Sequence, residues 1–76
     1  MELDTNKIDD AVLALLLLGL HDGVRVWKGF DWEAMNRLHD RGYISNPQSR
    51  AKSVFLTEEG LARAEKLIEE LFGEPA

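Results

Sequence analysis

A chain of 76 residues with a formal net charge of -5 and no cysteine is one domain with a thin core, burying only roughly 60% of the surface that its unfolded chain exposes. The absence of cysteine excludes disulfides and thiolate metal sites together and fits a reducing compartment. The acidic start Met1-Glu2-Leu3-Asp4 lacks the basic character of a secretory signal, so a cytoplasmic protein is expected, with residues 1–76 as a single domain and 1–5 and 74–76 frayed.

The first predicted element is a helix from about Lys7 to His21, capped by Thr5 or Asn6, with Asp9 and Asp10 in its first turn and Gly23 past its end. Its run from Ala11 to Leu20 is about half the roughly 20 residues that a membrane span needs, so no membrane contact is expected. That run is apolar on every side, whereas a surface helix needs one apolar stripe. Either this helix is central or a second chain covers it.

Val24 to Trp27 alternates like a short strand. Asp31 caps a second helix over about Trp32 to Arg41, with Phe30 placed as a staple against Met35 and Gly42 as a left-handed cap. Its inward face is expected to be Trp32, Met35 and Leu38, and the cluster Trp27, Phe30 and Trp32 is read as core, because a small domain needs its largest side chains inside. Tyr43-Ile44 and Ser53-Val54-Phe55-Leu56 flank a turn-rich segment and pair as a hairpin, with Pro47 in the turn. Thr57 caps a third helix that begins with Glu58 and Glu59, shows its apolar face through Leu61, Ala64, Leu67, Ile68, Leu71 and Phe72, and ends before Gly73.

These elements define a small α+β domain, three helices plus a β-hairpin wing. From Leu38 to Leu71 the sequence LHDRGYISNPQSRAKSVFLTEEGLARAEKLIEEL resembles the back half of bacterial winged-helix domains, in which a helix ending near glycine is followed by a wing and a Leu-Thr-acid-acid-Gly helix start. The whole chain, with VWKGFDWEAMNRLHDRGYIS at its centre, is similar to a family of short bacterial proteins of unknown function. One departure concerns the helix-turn-helix: residues 22–30 are too few for both a strand and the extra helix, so the resemblance implies an incomplete DNA-reading element.

Chemistry is sparse. His21 and His39 show no metal-ligand spacing, Asp9 and Asp10 point about 100° apart on a helix and are explained by its dipole, and Ser45, Ser49 and Ser53 lack a partnered base. No catalytic, metal or cofactor residues are expected, and the protein is read as non-enzymatic.

Charge is segregated. Residues 1–23 carry -4, residues 24–56 carry +3 and residues 57–76 carry -4. Arg37 and Arg41, four apart on one helix face, together with Arg50 and Lys52 on the wing, form the candidate phosphate-contacting set. The competing reading is a solvated face on which Glu33 and Asp40 pair with the arginines. Some of Leu13, Leu16, Leu17 and Leu20, with Leu67, Leu71 and Phe72, form the candidate interface of a homodimer, because one other helix and a small hairpin cannot hide every leucine of a helix that is apolar all round. Two functions follow: a homodimerising protein-interaction module, or alternatively a winged-helix DNA-binding regulator.

Overall fold

The structure, a computed structural model, describes residues 1–20, 23 and 25–75. The expected helix end at His21 and strand start at Val24 lie outside the described residues, as does the side chain of Trp27.

Helix α1 (Thr5–Leu18) starts two residues earlier than the sequence reading. Its cap is Asp4, whose Oδ1 accepts from the backbone N–H groups of Asn6 at 3.0 Å and Lys7 at 3.2 Å. An aspartate caps as well as an asparagine, and the earlier start moves Asp9 and Asp10 beyond the first turn, which holds no acid. Their expected dipole role is thereby corrected. The helix ends at Gly19 rather than running on, because glycine is about 1 kcal/mol poorer than alanine in a helix. Tight bonds from Gly19 N–H to the Leu16 carbonyl and from Leu20 N–H to the Leu17 carbonyl close its last turn.

Strand β1 (Arg25–Trp27) leads to helix α2 (Trp32–Asp40), then to strand β2 (Ser53–Phe55) and helix α3 (Glu58–Phe72). Asp31 caps α2 as expected, its Oδ2 accepting from Ala34 N–H at 3.0 Å. At the other end Gly42 takes φ 81°. The Tyr43 N–H bonds to the Leu38 carbonyl and the Gly42 N–H to the His39 carbonyl, which together form the Schellman closure that such a glycine permits. The inward face of α2 differs from expectation: Ala34, Met35 and Leu38 are buried, while Trp32 is 50% exposed. With 100° per residue, Ala34, Leu38 and Met35 span an arc of about 100°, and position 32 lies about 110° from its middle, off the buried face. Phe30 is also exposed, so the aromatic pair expected in the core lies on the surface.

The sheet is two-stranded and antiparallel, with Arg25 opposite Phe55, Val26 opposite Val54 and Trp27 opposite Ser53. Tyr43-Ile44 does pair with the end of β2, but only through a bridge from Ile44 to Leu56 flanked by the Ser45 N–H to Phe55 carbonyl and Thr57 N–H to Tyr43 carbonyl bonds. The expected hairpin is reduced there because the Ser45 hydroxyl takes the Phe55 N–H at 2.8 Å and buried Pro47 has no N–H to continue a ladder.

Helix α1 is central. It packs most extensively on α3, then on α2, and touches β1. Val12, Leu13, Ala14 and Leu16 meet Val26, Met35, Leu38, Ile44, Val54, Leu56, Ala64 and Leu67 in one core. Thr57 caps α3 as expected, its hydroxyl oxygen accepting from Gly60 N–H at 3.0 Å and donating to the Gly42 carbonyl at 2.6 Å. The order is helix–strand–helix–strand–helix, with an isolated bridge where the resemblance implies a hairpin wing, and no extra helix stands between α1 and α2 among the described residues.

Candidate functional site

The four cations expected to form one phosphate surface are divided by the fold. Arg37 donates from Nε and a terminal nitrogen to the two carboxylate oxygens of Asp9, at 2.7 and 2.8 Å. Asp9 is fully buried, while the Arg37 side chain is 31% exposed. A bidentate fork of this kind is the strong form of a charge-assisted pair. The hydrogen bond to Asp9 raises the Arg37 guanidinium above its ordinary range, against the opposing effect of burial. Arg41 donates to Asn6 Oδ1 at 2.6 Å. The two arginines do share a face, as four-residue spacing requires, but that face looks onto the first half of α1. Neither Glu33 nor Asp40 is the partner; the carboxylate that engages Arg37 comes from 28 positions earlier in the chain.

Arg50 and Lys52 are exposed in the segment before β2. That segment is held by a residue the sequence reading did not single out. Lys28 Nζ donates to the Pro47 carbonyl at 2.7 Å and the Ser49 carbonyl at 2.5 Å, Asn46 Oδ1 accepts from Gln48 N–H at 2.9 Å, and the Gln48 side chain reaches Asn36 on α2 at 3.4 Å. Replacing Lys28 by Met removes two charge-assisted bonds worth about 1 kcal/mol or more in total. We expect faster amide exchange confined to residues 46–52, read by hydrogen exchange, with α1 and α3 unchanged.

The expected dimer set also divides. Leu13, Leu16 and Leu67 are buried within one chain and present nothing to a partner, because the central position of α1 uses both of its long sides. Leu17 is half-buried. Leu20, Leu71 and Phe72 are exposed, the last two by 48% and 51%, and Leu18, which was not singled out, is 71% exposed. His39 Nδ1 lies 3.0 Å from the Ile44 carbonyl, and His21 lies outside the described residues. Among the described residues no group of three or more histidine or carboxylate side chains is placed to hold a metal ion, and no helix is long and apolar enough to cross a membrane.

A small α+β domain with surface cations, surface aromatics and a closed core is the class of protein these features define. The chain belongs to the family described as Domain of unknown function (DUF6429), which matches residues 4–74. It is similar to the uncharacterized protein y4hR of the bacterium Sinorhizobium fredii (strain NBRC 101917 / NGR234), at 57% identity over 72 residues, 95% of this chain and 97% of that protein. No solved structure matches it significantly.

Proposed function

We propose that the protein is a non-enzymatic interaction module that pairs with a second copy of itself through the exposed ends of α1 and α3. One observation carries this reading: the core closes without Leu18, Leu20, Leu71 and Phe72, which stay on the surface as large apolar side chains on, or just past, the two helices that pack most extensively together. Covering such side chains is the ordinary reason for association. The outward surface of α2 supports the same reading, since it offers Trp32, Glu33 and Asp40 to solvent while Arg37 is held by Asp9. Two outward acids repel a phosphate backbone.

A second reading, DNA binding, is favoured by the exposed Arg50 and Lys52. It now rests on two cations per protomer instead of four. Each neutralised phosphate contributes a log-log salt slope of roughly -0.9, so a DNA complex made through these two has a slope of about -2 per protomer. On the interaction reading, a fluorescence-anisotropy titration against nonspecific duplex at about 50 mM salt, where electrostatic binding is strongest, shows negligible binding. Saturable binding there that is lost in Arg50→Ala/Lys52→Ala transfers the assignment to DNA.

A further inference from the structure

We propose that a pocket on the outward face of the sheet binds a small planar organic anion, its oxyanion taken by Arg25 and the neighbouring serine hydroxyls and its flat apolar body laid against Phe55. The inference is independent of self-association.

The pocket has a volume of about 290 Å³, at the small end of ligand sites, which suits one ring carrying one acidic group. Its floor follows from strand register. Val26 and Val54 oppose each other and are buried, so alternation sends the next cross-strand pair, Arg25 and Phe55, outward side by side. The guanidinium carbon stands over the Phe55 ring, 5.0 Å from its centroid, an arrangement that uses the cation's field and, among the described residues, sets the ring edge beside the guanidinium fork as a flat slot. Ser45, Asn46, Ser49 and Ser53 complete the rim.

The hydrogen-bonding character of that rim is one-sided. Ser45 Oγ already accepts from the Phe55 N–H and Asn46 Oδ1 from the Gln48 N–H, so these side chains keep their O–H and N–H donors for a visitor. The Ser49 carbonyl is occupied by Lys28 Nζ. Among the described lining residues there is no carboxylate. Donor side chains and one cation beside the apolar Ala51 and Phe55, within the one stretch of the chain whose net charge is positive, complement an oxyanion carried on an apolar body. The Lys28 bonds to two loop carbonyls hold the rim in place before a ligand arrives, which lowers the ordering cost of binding.

The test is an amide-resolved NMR titration of the full chain with phenyl phosphate, benzoate, inorganic phosphate and benzyl alcohol. Saturable shifts at Ser45, Ser49, Ser53 and Phe55 are expected with phenyl phosphate or benzoate, the tighter of the two identifying the acid group, and none with benzyl alcohol. Arg25→Gln weakens binding roughly tenfold, the worth of one charge-assisted hydrogen bond, while its dispersed spectrum reports the retained fold. Phe55→Leu removes the preference for ring-bearing anions over inorganic phosphate, and Ser53→Ala, at the rim, weakens binding severalfold without touching the cation. Shifts that fail to saturate by about 20 mM, a concentration at which even weak millimolar sites fill, overturn the proposal. So do equal shifts with benzyl alcohol, or affinities unchanged in all three variants.

Discussion

Replacing Gly60 by alanine is expected to destabilise the domain by about 3 kcal/mol or more, a large share of the roughly 4–11 kcal/mol typical for a chain of this length. A Cβ at this position stands 1.9 Å from the Tyr43 carbonyl oxygen and 2.8 Å from its carbon, both backbone atoms. Relief requires α3 to withdraw from the end of α2, and two bonds oppose that withdrawal: Thr57 N–H to the Tyr43 carbonyl at 3.0 Å and the Thr57 hydroxyl to the Gly42 carbonyl at 2.6 Å. Gly29→Ala is the control, since nothing lies within 4 Å of its Cβ, and its effect stays within about 0.5 kcal/mol. Urea unfolding followed by circular dichroism reads both; a Gly60→Ala midpoint equal to that of the unchanged protein contradicts the close approach of α3 to Tyr43.

The ion pair between α1 and α2 gives the second large effect. Asp9→Ala removes both charge-assisted bonds and leaves a guanidinium that reaches water through its exposed third, for an expected loss of about 2–3 kcal/mol. Arg37→Met is expected to be worse than Asp9→Ala, because it leaves a fully buried carboxylate without its partner. Exchanging both members for apolar side chains, Asp9→Leu with Arg37→Met, recovers most of the loss, since no charge then remains buried. The sign with pH follows from the raised guanidinium: a group whose pKa rises on folding contributes its stability below the unfolded value and loses it only as pH climbs through the folded one. Both values lie beyond the alkaline range in which proteins are handled, so the arginine side of the pair is not titrated there. Urea midpoints of the three variants at constant slope check the order, and a double variant less stable than Arg37→Met contradicts the account.

What could be read from the sequence was local. The caps at Asp31 and Thr57 and the left-handed turn at Gly42 depend on residues three or four apart, and all three stand as read. The three-helix α+β order also followed from local stop and start signals. What escaped depends on contacts across the chain. Asp9 lies 28 residues from Arg37, and nothing near either residue marks the pairing; the available signal was an acid close to the start of the helix's apolar run. Lys28 carries no local mark of its role as the clasp of a loop 19 and 21 positions away. Trp32 was assigned inward, whereas it is half exposed and this helix buries the smaller Ala34. Gly60 was visible as the last letter of a motif, but its reason, a backbone passing within contact distance, exists only in the folded chain.

The central claim is self-association through the ends of α1 and α3, and sedimentation equilibrium of the full chain at tens of micromolar measures it most directly. The unchanged protein is expected to have the mass of a dimer, and Leu71→Glu/Phe72→Glu, whose sites are exposed and whose replacement leaves the core intact, that of a folded monomer. A clean monomer for the unchanged protein across that range, or a dimer that survives both glutamates, contradicts it.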